Sequence, residues 1–229
     1  MNHEIARQDW GPLWLTFELA GITTLILCVL GIPFAWWLAH TRTRAKPVLE
    51  TLVSMPLVLP PSVLGFYLLL AFSPASWFGS ALEHVAGLKL AFSFDGLVVA
   101  SVIFSFPFMV HPVQAGFQNL PPSLAEAAYT LGKSRWQTFL RVLLPGIKPQ
   151  LLAGAVLAFA HTIGEFGVVL MIGGNLPGQT RVASIAIYDE VEAMNYDAAN
   201  LYALVLFTVC FVVLLGVHLL NKKLLTRVI

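Results

Sequence analysis

Ionisable side chains are rare inside the long apolar segments of this sequence, where a charged group is costly and therefore suggests a function. The segments hold three acids and two histidines but no central lysine or arginine: Glu18, Glu50, His111, His161 and Glu165. Without a cation beside them, a tight anion site is not expected there. We expect Glu165 to be structural, paired with a neighbour such as His161 one turn earlier or bonded to backbone near residues 164–167. Both histidines are expected to be packing residues with hydrogen-bond partners and not ligands.

No arrangement of residues that would support catalysis is evident. The sequence has no GxxxxGK[ST] nucleotide-binding loop and no nucleophile with a base and an orienting group. Cys28 and Cys210 each stand in an apolar run, where a lone thiol behaves as a small hydrophobe. We therefore predict no catalytic residue, no metal site and no cofactor bound by this chain.

The apolar composition places the chain in a membrane. Hydrophobic residues make up 58% of its 229 residues and charged residues 11%, against about 25% charged residues in soluble domains. A helix of about 20 apolar residues crosses a bilayer. Within one domain, residues 12–220, the sequence predicts spans at 13–39, 48–72, 95–117, 149–172 and 201–220. The predicted fold class is an all-α membrane protein with about five transmembrane helices.

Lysine and arginine cluster in alternate connections between these segments. Most of the 13 lie at one side: Arg42, Arg44, Lys46, Lys133, Arg135, Arg141, Lys148, Lys222, Lys223 and Arg227. The other connections hold Arg7, Lys89 and Arg181. Because basic connections favour the cytoplasmic side, we predict an outside N-terminus and an inside C-terminus. The net charge of +1 argues against nucleic acid as a partner.

Prolines interrupt the second and third apolar segments. Pro56, Pro60 and Pro61 stand near the middle of the second segment, and Pro107 and Pro112 stand in the third. A proline removes a backbone donor and clashes with the preceding turn, so both helices are expected to kink or break. Such bends suit a bundle that opens and closes around a path, but statically kinked packing helices fit the same prolines.

The loop 118–148 has the pattern of a helix, a turn and a second helix. Residues 123–126 have the form of a capping box, and Gly132 is placed to end the first helix in the left-handed conformation. An apolar stripe at helical spacing follows this helix: Leu124, Ala127, Ala128 and Leu131. A second box at residues 134–137 opens another helix, which Pro145 is expected to interrupt. Its predicted apolar face consists of Trp136, Phe139, Leu140 and Leu143.

Three interpretations of this helical unit compete. A DNA-binding helix-turn-helix would need a basic recognition helix that is free to enter a groove, whereas this unit is tied at both ends to spans. An amphipathic element on the lipid surface would present bulkier side chains than Ala125, Ala127 and Ala128. A docking element fits best, because small side chains let the groove of another protein close around the helix.

The spacing within the loop resembles the EAA loop of permease subunits of bacterial ATP-binding-cassette (ABC) importers, EAA-x3-G-x9-I-x-L-P. The matching residues are Glu126, Ala127, Ala128, Gly132, Val142, Leu144 and Pro145, with valine in place of isoleucine. The resemblance implies a type I ABC importer permease fold, in which residues 123–132 form a coupling helix seated in a cleft of a separate ATPase subunit. Glu126 would either contact the ATPase or only complete the capping box. The chain would be a transport subunit and not an enzyme, with ATP and Mg used by the ATPase.

Further segments are similar to the molybdate permease (ModB) branch, and sulfate and tungstate permeases have closely similar patterns. The segments are residues 55–61 with Gly65, residues 164–167, and residues 177–181 followed by Ile187 and Tyr188. The resemblance implies molybdate transport across the bacterial inner membrane. The implied partners are a second copy of the permease, two ATPase subunits, membrane lipid and a periplasmic or extracellular oxyanion-binding protein. A non-transport scaffold or a membrane-embedded enzyme is the alternative from a different class.

The candidate path residues follow from the chemistry of that cargo. Molybdate is a dianion, so spans without central cations would pass it weakly, through hydroxyls, backbone amides and helix N-termini. Selection would then belong to the binding protein. We predict a path or gate region that contains Pro60, Pro61, Ser105, Thr162 and Glu165.

Overall fold

The computed structural model describes residues 9–225, and every regular element within this range is a helix. The helices are α1 (Gly11–His40), α2 (Lys46–Val58), α3 (Pro61–Phe72), α4 (Trp77–Ala86), α5 (Phe94–Gln118), α6 (Pro122–Thr130), α7 (Arg135–Gly146), α8 (Lys148–Gly164), α9 (Gly167–Gly173), α10 (Ala183–Glu192) and α11 (Tyr196–Leu225). The predicted all-α class is confirmed. Arg7 and Arg227, which enter the charge argument, lie outside the described residues.

Three described helices are long and apolar enough to cross a membrane singly: α1, α5 and the Tyr196–Gly216 part of α11. Two bent pairs also reach the required length, α2 with α3 at 112° and α7 with α8 at 77°. The described residues therefore provide three spans, or up to five if each bent pair is one span. The predicted segment 149–172 is itself divided, because α8 ends before α9 begins.

The two proline-containing segments behave differently. Leu59 and Pro60 separate α2 from α3, with ψ angles of 136° and 135°. A residue that precedes a proline is pushed out of the helical region of backbone angles. Pro60 has this effect on Leu59, and Pro61 has the same effect on Pro60. By contrast, α5 continues through Pro107 and Pro112, so the third segment does not break at its prolines.

Helix α5 lies at the centre of the bundle, with α1 and α8 packed against it. Near its beginning, buried Leu97 and Phe104 belong to a core cluster shared with α1 and α9. Near its end, Val113 and Phe117 belong to a second cluster, which continues into α7 through Phe139. The loop between α5 and α8 therefore shares a core with the spanning helices.

Two glycines allow α3 to pack closely on α9. A Cβ added at Gly65 would come within 2.9 Å of the Met171 Cβ, and one added at Gly167 within 2.7 Å of the Pro61 Cβ. Both distances are below 3.0 Å, so an added Cβ would force the neighbouring atoms to shift. Small residues permit such close approach of helices in membranes. The contact seats Pro61 against the break between α8 and α9.

Replacement of Gly167 by alanine is expected to destabilise the chain by about 1–3 kcal/mol, because the new methyl group would overlap Pro61. The matched control is Gly164→Ala, since a Cβ at Gly164 meets no described atom within 4 Å. Thermal unfolding of the detergent-solubilised protein should show a lower Tm for Gly167→Ala only. Equal Tm values for the two variants would contradict the tight seating of α3 on α9.

Candidate functional site

Helix α6 does not begin with the predicted capping box. Pro122 occupies its first position, where a missing N–H is tolerated, and Pro121 precedes it without a side-chain hydrogen bond. Ser123 therefore lies inside the first turn and cannot cap the helix, so the predicted box at residues 123–126 is wrong. Glu126 is exposed, and the capping explanation for this residue is removed.

The end of α6 follows the sequence prediction. Gly132 has a φ angle of +74°, and the Lys133 amide donates to the Ala128 carbonyl oxygen at 3.0 Å. This left-handed helix end is the one that glycine accommodates best. The second capping box is also confirmed, because Ser134 Oγ accepts from the Gln137 amide at 3.2 Å and Gln137 Oε1 accepts from the Ser134 amide at 3.3 Å. A fixed short turn thus separates α6 from α7.

The two faces of α6 have different surroundings. Ala128 is only 5% exposed, and Ala125 packs against the second core cluster, so this face rests on the bundle. Ala127 and Leu124 are exposed, and Leu131, just after the helix, is 78% exposed. Most of the predicted apolar stripe therefore points away from the chain's own core and is available to a partner.

Helix α7 buries half of its predicted apolar face. Phe139 is 4% exposed and Leu143 is also buried, whereas Trp136 is 66% exposed and Leu140 is exposed as well. A π-helical turn covers Phe139–Leu143. Trp136 precedes this turn and stacks on Phe139 although it is itself exposed, and Leu140 lies within the turn with an exposed side chain. The predicted apolar face is therefore buried only at Phe139 and Leu143.

The Phe139 ring connects α7 to two spanning helices. Its centroid lies 5.2 Å from the Trp36 ring of α1 and 6.0 Å from the Phe117 ring of α5. Ala125 of α6 packs against the same cluster. A displacement of α6 can therefore reach α1 and α5 through Phe139.

The last residues of the predicted motif lie near the end of α7. Val142 and Leu144 are half-buried, and Pro145 is exposed. The Leu144 amide donates to the Phe139 carbonyl oxygen, and the helix continues past Pro145 to Gly146 before it bends into α8. Pro145 therefore does not interrupt the helix where the sequence suggested. All seven predicted coupling residues lie on α6, α7 or the turn between them.

Ser105 and Thr162 meet between α5 and α8. The Ser105 Oγ lies 2.9 Å from both Thr162 Oγ1 and His161 Nδ1, and Thr162 Oγ1 donates to the Ala158 carbonyl oxygen at 2.9 Å. Ser105 and Thr162 are both buried. Their hydroxyls are therefore engaged within the protein in this conformation and do not face open space.

Glu165 lies directly after α8 and is 5% exposed. Its Oε2 accepts from Ser101 Oγ at 3.5 Å, and no donor among the described residues reaches Oε1. Its backbone oxygen accepts from Ser184 Oγ of α10 at 2.6 Å. The expected pairing with His161 is wrong, because that ring bonds to Ser105. Glu165 instead joins the α8–α9 break to α5 and α10.

Glu165→Ala is expected to lower the stability of the chain by about 2–3 kcal/mol, because it removes the acceptor of buried Ser101 and leaves unfilled space. Glu165→Gln should cost less, since the amide oxygen can still accept from Ser101. We expect transport to fall with the amount of folded protein in both variants, measured as Tm and uptake on the same preparations. A normal Tm with a selectively altered transport rate in Glu165→Gln would contradict a structural role.

Two open clefts border α5. The larger, of about 640 Å³, is lined by residues from four helices and the α8–α9 break, among them Pro61, Ser62, Phe104, His161 and Glu165. The smaller, of about 430 Å³, is lined by Glu50, His111, Gln114, Ala115 and Gln118. The larger cleft thus brings together Pro61 and Glu165, two of the predicted path residues. Pro60 is exposed and precedes Pro61 in the chain. Ser105 bonds to His161, which lines the cleft, and Thr162 bonds to Ser105.

Two hydrogen bonds at the smaller cleft join α2 to α5. Gln114 Nε2 donates to Glu50 Oε1 at 2.7 Å, and His111 Nε2 lies 3.2 Å from Ser54 Oγ. The residues of each helix are three or four positions apart and therefore share a face. This spacing is the signal for such a contact in the sequence, but it does not identify the partner helix. Both histidines expected to be packing residues have hydroxyl partners.

Comparison with known proteins agrees with these features. The family described as "Binding-protein-dependent transport system inner membrane component" matches residues 31–226. The chain is 46% identical over 216 residues to the molybdenum transport system permease protein ModB of Azotobacter vinelandii, covering 93% of this chain and 95% of that protein. It is 31% identical over 239 residues to the sulfate transport system permease protein CysT of Escherichia coli (strain K12), covering 99% and 86%.

A solved structure shares the fold. The bacterial ABC transporter involved in the import of the acidic polysaccharide alginate superposes with a TM-score of 0.79 at 18% identity, covering 97% of this chain and 83% of the other. The same family is thus indicated by the sequence match, by the helical topology and by the loop that contains α6 and α7. The chain is a transport subunit of the inner membrane and belongs to the binding-protein-dependent transport system inner membrane component family.

Proposed function

We propose that this chain is the permease subunit of an ATP-driven molybdate importer, and that α6 is the helix on which a separate ATPase subunit acts. The observation that carries the proposal is the divided surface of α6. Ala125 and Ala128 hold the helix on the core, while Leu124, Ala127 and Leu131 stay exposed. An exposed apolar surface beside a small residue suits insertion into a groove of another protein.

The expected assembly contains two permease chains, two ATPase subunits and a separate binding protein for the oxyanion. One chain presents one α6, so a symmetric pair presents two, one for each cleft of an ATPase dimer. ATP and Mg would be bound by the ATPase subunits, because this sequence has no GxxxxGK[ST] loop. The permease itself would contribute the path and no hydrolytic site.

The proposed permease domain, residues 12–220, crosses the bacterial inner membrane with α6 and α7 on the cytoplasmic side. The end of α1 packs on α7 through Trp36 and Phe139, so the connection between α1 and α2 lies at the same end of the bundle as α6 and α7. Both regions are rich in lysine and arginine. At the opposite end, Arg181 pairs with Asp189 at 3.1 Å and lies 3.9 Å from Glu190. If each bent pair is one span, five crossings place the N-terminus outside, as the positive-inside tendency favours.

Molybdate is the favoured cargo because of the similarity to the ModB protein of Azotobacter vinelandii, and the runner-up cargoes are tungstate and sulfate. The residues that line the two clefts include acids and histidines but no lysine or arginine. Selection among these dianions is therefore assigned to the binding protein. Titration calorimetry of that protein with the three oxyanions should show tight molybdate binding. A protein that binds only sulfate would contradict the cargo assignment.

The ATPase activity of the reconstituted complex separates a transport subunit from a membrane scaffold or a membrane-embedded enzyme. We expect ATP hydrolysis to rise when the molybdate-loaded binding protein is added and to remain low with the unloaded protein. Hydrolysis that responds to neither form would contradict the role of a coupled permease. The ATPase subunit alone serves as the control for uncoupled hydrolysis.

A further inference from the structure

A row of α5 side chains runs along both clefts. Phe104, Phe108, His111, Ala115 and Gln118 are spaced four, three, four and three residues apart, which places them on one face of the helix. Phe104 lines the larger cleft, and the last three residues line the smaller one. Phe108 stands between the two groups. The clefts therefore follow one another along the same face of α5.

His161 of α8 covers the middle of this row. Its ring stacks on Phe108, with centroids 3.9 Å apart and planes at 27°, and it lies 4.8 Å from the Phe104 centroid. Phe104 and His161 thus form part of the wall of the larger cleft, and Phe108 lies between them and the residues of the smaller cleft. An anion that passed these rings would lose its water without gaining hydrogen bonds from either phenylalanine, and such desolvation is costly.

A buried network fixes the His161 ring. Its Nδ1 pairs with Ser105 Oγ, which also pairs with Thr162 Oγ1, and Thr162 donates to the Ala158 carbonyl oxygen. Ser105 and Thr162 are buried, whereas the His161 ring lines the larger cleft. The two hydroxyls predicted to line the path therefore hold the ring that faces it.

We propose that Phe104, Phe108 and His161 form the barrier of the transport path, between a compartment that contains Glu165 and one that contains His111. The proposal rests on the proposed function, since the two clefts are compartments of a path only in a permease. Because His161 belongs to α8 and the phenylalanines to α5, a shift of one helix along the other separates the rings. Helix α8 follows α7 directly, so a movement of the α6–α7 unit acts on the helix that carries His161.

Thiol accessibility from the α6–α7 side tests the barrier in the assembled complex. Cys28 and Cys210 are first replaced by alanine. Ala115→Cys then places a thiol in the smaller cleft, and Ser62→Cys places one in the larger cleft. Vesicles that expose the α6–α7 side are treated with a membrane-impermeant thiol reagent in the absence of nucleotide. We expect position 115 to react from this side, and position 62 to react only from the opposite side of the membrane.

Removal of a ring should open the barrier. Phe108→Ala is expected to raise the reaction rate at position 62 from the α6–α7 side about tenfold, and His161→Ala should act in the same direction. His161→Phe, which keeps a stacked ring, should restore slow reaction. Phe106→Ala is the matched control, because Phe106 lies on another face of α5 and packs against Phe34 of α1. If Phe108→Ala does not assemble, Phe108→Leu provides a smaller truncation.

The outcomes separate the barrier from the proposed function. Fast reaction at position 62 without any ring substitution, or no reaction there from either side, would overturn the barrier. An equal effect of Phe106→Ala would also overturn it, because general loosening would then explain the result. Molybdate uptake is measured on the same vesicles. The expected accessibility pattern without molybdate uptake would reject the cargo assignment and retain the barrier. Molybdate uptake with the opposite accessibility pattern would retain the cargo assignment and reject the barrier.

Discussion

Replacement of Ala127 by arginine is expected to prevent stable association with the ATPase subunit while leaving the permease folded. Ala127 is exposed on the face of α6 that points away from the core, so the substitution meets no packed neighbours within the chain. In a closed groove, the unpaired guanidinium would cost roughly 3–5 kcal/mol, which weakens binding by a factor on the order of 100 to 5,000. Affinity can be measured by surface plasmon resonance between the purified subunits.

The adjacent alanine supplies the control for that experiment. Ala128 is 5% exposed and faces the bundle, so Ala128→Arg should lower the Tm of the permease itself. Ala127→Arg should leave this Tm unchanged, and Ala127→Ser should retain ATPase binding because serine is almost as small. Normal affinity of Ala127→Arg for the ATPase would show that α6 is not the docking helix.

Truncation of Phe139 is expected to uncouple ATP hydrolysis from transport. The ring contacts Trp36 of α1 and Phe117 of α5, and the exposed surface of α6 does not include it. Phe139→Ala should therefore leave ATPase binding largely intact but reduce the molybdate transported per ATP hydrolysed about tenfold, within the usual range of coupling free energies. Simultaneous measurement of uptake and phosphate release in proteoliposomes gives this ratio.

Trp136→Ala separates coupling from a general effect of removing an aromatic ring. Trp136 also stacks on Phe139, with centroids 5.6 Å apart, but it is exposed and contributes little to the core. Its removal should preserve the transport ratio. Because deletion of a buried phenylalanine can cost about 3–5 kcal/mol, Phe139→Leu serves as a milder variant if Phe139→Ala does not fold. An unchanged ratio in folded Phe139 variants would contradict this route of coupling.

The helix ends around Gly132 were predictable because their causes are local. The left-handed glycine and the second capping box depend on residues within four positions of one another, and both form as predicted. The first box fails for an equally local reason, since Pro122 takes the first helical position and moves Ser123 into the turn. Proline favours the first position of a helix, so the true start of α6 is also encoded locally, by Pro122.

Side-chain partners across helices could not be predicted in the same way. Glu165 bonds to Ser101 and His161 to Ser105, and both serines belong to α5. These pairings depend on the register between α5 and α8, which no pattern within either segment encodes. The same holds for the burial of the two rings of α7: Trp136 and Phe139 stack on each other, but only Phe139 reaches the core that α7 shares with α1 and α5.

Molybdate accumulation in proteoliposomes tests the central claim most directly. The permease is reconstituted with its ATPase subunit, with the loaded binding protein outside and ATP with Mg enclosed, in the orientation that places α6 inside. We predict molybdate accumulation that requires ATP hydrolysis and the binding protein, and that is lost in Ala127→Arg. Absence of ATP-dependent accumulation of molybdate, tungstate and sulfate from an assembled, hydrolytically active complex would contradict the claim that this chain is an oxyanion permease.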